Sequence, residues 1–137
     1  MSHARARQAI EMKLAAWASA RPIRIAYGTA EFKPAAGETY LRAFLLPAST
    51  SSRYLASEAL EYRGIYQISI VCPSGTPSAV HEAITDELNA LLPVDSELVR
   101  GGFEGQIIEP PSPGPTIIEP ATYTVPVSLT YMGLADQ

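Results

Sequence analysis

Apolar positions along the chain repeat with two different periods, and each period marks an element. Ile10, Leu14 and Trp17 stand at i, i+4 and i+7, which is one stripe of a helix. Arg5, Arg7, Glu11 and Lys13 fall mostly off that stripe. Ser2 offers a side-chain oxygen to the first free N–H groups, and Pro22 clashes with a preceding carbonyl, so the helix is expected to end near Ala20. IRIAY, from Ile23 to Tyr27, is short and β-compatible, and the GTAEFKPAAGE run behind it is aperiodic and loop-like. YLRAFLL, from Tyr40 to Leu46, is apolar almost throughout and bounded by Gly37 and Pro47, as suits a strand covered on both faces.

The segment ASTSSRYLASEALEYRG opens with small polar residues whose side chains compete for backbone partners. Within Pro47 to Glu61, its first half is therefore expected to be a mobile loop. From Ile65 the chain alternates cleanly: Tyr66, Ile68, Ile70 and Cys72 share one face, with Gln67 and Ser69 on the other. PSGTPS then turns the chain, with Thr76 as expected N-cap and Pro77 at the first helical position. Val80, Ile84, Leu88 and Leu91 form the core stripe of a second helix that Pro93 ends, while Glu82, Asp86 and Glu87 are assigned to water.

Beyond that helix the pattern is β to the end: ELVRGG, QIIEP, TIIEP and ATYTVPVSLTYMG. IIEP occurs at Ile107 and again at Ile117 around the bend PSPGP, which reads as two arms of a bent hairpin. Tyr123, Val125, Val127, Leu129 and Tyr131 alternate with Thr124, Pro126, Ser128 and Thr130, so one face of the last strand is core. Pro126 lacks a ladder donor and predicts an edge or a bulge. The order α-β-β-β-α-β-β-β predicts an α+β fold over residues 1–137 as one domain, a mixed or antiparallel sheet with two main helices packed on it. Its other face is expected to meet solvent or another subunit.

Composition narrows the function. With 10 Lys plus Arg against 14 Asp plus Glu the net charge is −4, which disfavours specific nucleic-acid binding, since that depends on clustered cations at phosphates. Hydrophobic residues are 47% and charged residues 18%, too apolar for a disordered chain, and the 12 prolines predict many loops and few long helices. No apolar run approaches the ~20 residues that cross a bilayer, so no membrane partner is expected. The first twenty or so residues have the Arg and Ala content of an organellar presequence, but Glu11 and the strand-like sequence that follows favour a first helix.

Candidate chemistry is sparse. One Cys and two His cannot make a Cys/His zinc site, so no cofactor or metal is expected. Cys72 with His81 invites a thiol and base reading, yet Cys72 lies in phase with Tyr66, Ile68 and Ile70, where a small buried side chain belongs. PSGTPS ahead of a helix resembles an anion site but lacks P-loop spacing and its Lys. Glu82, Asp86 and Glu87 on the helix, and Glu109 and Glu119 beside prolines, have no cationic or metal-binding neighbour in sequence. No catalytic residue is assigned. The one local concentration of residue types enriched at protein contacts is Arg53, Tyr54, Tyr62 and Arg63, with Tyr66 beside it, and these four are the candidate partner interface.

The run EYRGIYQISIVCPSGTPSAVHEAITDELNALL feeds Arg63, Gly64, Tyr66, Gln67 and Ile68 into a strand, then a turn at Gly75 and an amphipathic helix. It resembles the tail terminator proteins of long-tailed bacteriophages, the lambda-type minor tail protein U and its prophage relatives. PIRIAY after the first helix, the YLRAFLLP strand and the terminal PVSLTYMG strand keep the same order, so the resemblance covers nearly the whole chain. It implies an α+β, non-enzymatic subunit that assembles as a hexameric ring on the finished tail tube, halts tube growth and presents a surface to the head connector. The implied partners are further copies of itself, the tail tube protein and the head-tail connector protein, with DNA passing through the ring. The implied location is the virion tail, after assembly in the host bacterial cytoplasm. The PPSPGP bend and Pro126 have no match in the family pattern. Two competing classes are a small-molecule or peptide-binding domain using the open sheet face, and a hydrolase built on Cys72 and His81.

Overall fold

The computed structural model describes residues 2–21, 23–28, 31–52, 59–100 and 103–136, and among these the side chains other than those of residues 2, 47–52, 59, 60, 135 and 136. Helix α1 spans Ser2–Ala20 and α2 spans Ser78–Leu91. The strands are β1 (Ile25–Tyr27), β2 (Tyr40–Ser52), β3 (Ala59–Pro73), β4 (Glu97–Arg100), β5 (Phe103–Pro113), β6 (Ile117–Ile118) and β7 (Thr122–Asp136). They form one sheet in the order β1-β2-β3-β7-β5-β4, with the two-residue β6 also paired to β7. Among the described residues only the β1–β2 pairing is parallel. The α+β class and the element order follow the sequence pattern, with β6 a short addition.

The period-two face of the sequence is the core. Tyr66, Ile68, Ile70 and Cys72 on β3 lie beside Val125, Val127, Leu129 and Tyr131 on β7, and all eight are buried. Ala6, Ala9, Ile10 and Leu14 of α1 and Ile84 and Leu88 of α2 close over them, so both helices sit on one side of the sheet. Asn89 of α2 donates to the Pro111 carbonyl of β5 at 2.7 Å, tying the second helix down. Two glycines make room for an aromatic ring: Gly105 and Gly133 face each other across β5 and β7, and a Cβ on either would come within 3 Å of the Phe103 ring. Likewise a Cβ on Gly64 would strike the Tyr131 hydroxyl end.

Several expectations change. The first half of the Pro47–Glu61 segment is strand rather than loop, since β2 continues to Ser52 and β3 begins at Ala59. A long antiparallel partner outweighs the weak strand preference of Ser and Thr, and a bulge between Pro47 and Ser49 absorbs the proline. Residues 53–58, with the rest of that expectation, lie outside those described, as does the side chain of Ser2. The cap of α2 is Pro77, not Thr76, and its side chain makes no capping bond. Pro73 to Thr76 instead forms a turn closed by Thr76 N–H to Pro73 C=O at 3.1 Å, with Gly75 at φ 88°. Val80 is exposed, not core, as are Ser78 and Ala79 beside it in the first turn of α2.

The two IIEP arms are not a hairpin. β5 and β6 run in the same direction along the same side of β7, one strand interrupted by the bend, and the chain reverses only at residues 119–122, where Glu119 N–H meets Thr122 C=O at 2.9 Å. Prolines in the bend remove ladder donors without turning the chain back. Pro126 is neither at a sheet edge nor bulged: Ser69 stands opposite it on β3. Its carbonyl accepts from Gly114 N–H at 2.7 Å, so its missing donor faces that same bend, where β5 and β6 leave a gap.

Candidate interaction surface

The sheet face turned away from the helices carries the alternate residues of the same strands. At the β2–β3 margin it shows Phe44, Leu46 and Ile65, and at the β7–β5–β4 margin Met132, Leu134 and Val99. Val99 is 61% exposed and Leu46 44%, large values for apolar side chains on strands. A shallow hollow of about 420 Å³ lies at the second margin, floored by Gly105 and Gly133 and rimmed by Glu97, Glu104, Val99, Met132 and Leu134. Sequence reasoning expected an open sheet face but named none of its residues, although Ile65, Leu134 and Val99 were visible as apolar residues out of phase with the core.

One part of this face is covered. Arg24 clamps Glu38 through two bonds of 2.7 and 2.6 Å, and Glu38 also accepts from Ala35 N–H at 2.8 Å. These partners hold the Glu38 carboxyl down to about 2. The Arg24 guanidinium stacks 4.6 Å from the Phe32 ring centre, and Phe32 packs 4.8 Å from Tyr40, which is buried. The segment from residue 31 to 39 is thus a flap over the start of β2.

The four candidate interface residues separate. Arg53 and Tyr54 lie outside the described residues. Tyr62 turns to the helix side, where its ring meets His3 edge-on at 4.9 Å and His3 Nδ1 lies 2.5 Å from the Tyr131 hydroxyl. Arg63 turns to the open face, 3.5 Å from the Met132 sulfur and 3.8 Å from Glu61. The structure therefore brings Tyr62 and Arg63 to opposite sides of one strand.

The polar residues of the helix side act within the fold. Tyr66 donates to Glu11 at 2.9 Å, and Glu11 pairs with Arg7 at 2.7 Å. Burial first, then the Glu11 charge, pushes the Tyr66 hydroxyl far up. Glu87, assigned to water from its spacing, instead bridges the helices: the Trp17 indole donates to it at 3.2 Å and Arg21 pairs with it at 2.7 Å. Distance in sequence hid both partners.

Cys72 and His81 do not make a nucleophile and base. Cys72 is buried and burial raises its thiol, with Tyr123 and Thr39 as hydrogen-bond partners. The Tyr123 ring stands against His81 at 5.8 Å and its hydroxyl donates to the Thr76 carbonyl at 2.7 Å, an aromatic spacer that fixes the turn. A thiolate needs a nearby cation and access, and this one gains neither. Among the described residues no group of three or more His, Cys, Asp or Glu is placed to hold a metal, and no helix is long and apolar enough to cross a membrane.

What remains is a sheet with one packed face and one open face, which suits contact between proteins. The comparisons point the same way. No protein with a curated description matches the chain. A solved chain that carries no functional description is 38% identical, with a TM-score of 0.80 over 97% of this chain and 96% of its own. The family model described as phage tail terminator protein matches residues 5–131, nearly every element of the sheet and both helices. With that match across its whole core, the chain belongs to the phage tail terminator protein family, whose role is structural and in the phage tail.

Proposed function

We propose that this protein ends the phage tail: copies assemble as a ring, six by the family resemblance, on the finished tube, stop its polymerisation and present the surface to which the head connector joins. The family match over residues 5–131 carries this reading. The open sheet face supports it, because a subunit that works by docking needs apolar surface that its own core leaves free. Its partners are then copies of itself, the tail tube protein and the connector protein, and its place is the virion tail after assembly in the host cytoplasm. A net charge of −4 suits a ring through which DNA passes without being held. The subunit performs no bond-making in this role.

The test is tail assembly with and without the chain. Tubes polymerised without it are expected to overrun their normal length, and added protein is expected to cap them as rings visible by electron microscopy. Tubes of unchanged length distribution and no decorated ends would overturn the reading. A chain that binds a small molecule or peptide on its open face and never assembles would replace it with the binding-domain alternative.

A further inference from the structure

We infer that the subunits join by strand pairing, the β4 edge of one copy against the β2 edge of the next, so that the ring carries one continuous sheet. This rests on the ring assembly proposed above and names the contact that builds it.

Among the described residues both edges are open, and they match. β1 covers β2 only from Leu41 to Ala43. Leu41 N–H donates to Arg24 C=O at 3.1 Å and Gly28 N–H to Ala43 C=O at 2.7 Å, so these two β2 residues turn their backbone groups toward β1. Alternation then points Leu45 outward, and after the bulge at Pro47/Ser49 it points Thr50 and Ser52 outward. No described backbone group pairs with that side beyond Ala43. Pro47 offers only its carbonyl, which leaves Ser49–Ser52 as the stretch able to pair in full.

At the other end of the sheet, Ile107 N–H donates to Ser96 C=O at 3.1 Å, which sets the phase of β4. Leu98 and Arg100 face β5, while Glu97 and Val99 turn their N–H and C=O groups to the open edge. β4 has four residues, the length of Ser49–Ser52. The two stretches also stand at the same level of the sheet: Ser49 lines up through Arg63, Met132 and Gln106 with Glu97, and Ser51 through Glu61, Leu134 and Glu104 with Val99. Counting the antiparallel steps from β2 through β3, β7 and β5, β4 runs in the same sense as β2.

Equal level and equal sense have a symmetry consequence. A head-to-tail contact between two different edges repeats and makes a ring where its rotation closes, whereas pairing an edge with itself stops at a dimer. The contact would also bring the exposed Val99 and Leu134 margin against the exposed Leu46 and Ile65 margin, making one apolar belt from two patches. An exposed strand edge bearing a Val at 61% exposure and no Lys is otherwise a hazard that folds avoid.

The test uses the full chain with Val99→Cys and Ser51→Cys, two positions level with each other in the sheet register, and a short bis-maleimide, Cys72 being buried. The double variant is expected to give a ladder of cross-linked species ending at the ring size, a mixture of the two single variants to give dimers, and each single variant alone to give none. Val99→Pro, which removes an edge donor without touching the β5 ladder, is expected to raise the subunit dissociation constant roughly tenfold at unchanged subunit melting. Cross-linking of Val99→Cys with itself would overturn the inference in favour of a two-fold dimer. Rings that form while the double variant stays unlinked would overturn this contact and leave the tail-ending role standing. A chain that remains monomeric even on tail tubes would overturn both.

Discussion

The two faces of the sheet are made by alternate residues of the same strands, yet they differ in everything but backbone. On the helix side Tyr131 is fully buried, its hydroxyl over Gly64 and against His3. Three residues on, Leu134 sits on the other side with more than a third of its surface in water. The lesson is that one strand can carry the core on one face and leave apolar side chains in water on the other, because a period of two separates the side chains completely.

The sharpest way to break that contrast is to truncate one residue from each face. Tyr131→Ala is expected to cost about 3–5 kcal/mol of subunit stability, the range for emptying an aromatic site in a packed core. Leu134→Ala is expected to cost under about 1 kcal/mol in the dissociated subunit, as its side chain loses little burial. Urea unfolding of the dissociated chains measures both, and equal losses would abolish the division between faces.

Next comes overpacking. Gly133→Ala places a Cβ within 3 Å of the Phe103 ring and of the Glu104 carbonyl, so either the ring or the strand must shift. The expected cost is about 1–3 kcal/mol, reduced when Phe103→Leu accompanies it. A double-mutant cycle in thermal unfolding reads the coupling, and additive losses would show that the paired glycines do not serve the ring.

Alkaline pH then separates the faces without mutation. Burial pushes the Tyr131 hydroxyl up to about 12 and the Tyr66 hydroxyl further in the same direction. Both groups favour the neutral form when folded, so their contribution is complete below the ordinary tyrosine value near 10 and is lost as pH rises toward and past about 12. Melting temperatures are expected to fall across that window, and Tyr131→Phe to flatten part of the fall. An outer-face variant such as Leu134→Ala leaves both tyrosines in place and is expected to keep the full slope.

The face that folds the subunit was the legible one. Tyr66, Ile68, Ile70, Cys72 and the Val125 to Tyr131 series declared themselves by alternation, and burial obeyed. Less was legible where partners come from far along the chain. β2 is strand through Ser49–Ser52 because β3 offers a continuous ladder, which outweighs local preference. The bend at 111–115 looked like a reversal because turn chemistry is local, while the pairing that keeps β5 and β6 on one line belongs to β7. Glu87 looked solvated because Trp17 and Arg21 are some seventy residues away. As for the surface, Arg53, Tyr54, Tyr62 and Arg63 were grouped by composition, and composition does not know that neighbouring strand residues point apart.

The smallest effect lies on the one covered part of the open face. Glu38 keeps its charge down to about 2 because Arg24 and the Ala35 N–H favour the carboxylate. A carboxyl lowered on folding adds stability that is complete above its ordinary range near 4.5 and disappears as pH falls toward 2. Acid is therefore expected to release the flap of residues 31–39 from Tyr40 before it disturbs the helix side, and Arg24→Ala to release it at neutral pH. Faster amide exchange around Tyr40 with unchanged protection at Ile68 and Ile70 would be the signature. Loss of protection on both faces together would mean that the flap belongs to the core and that the open face begins further down β2.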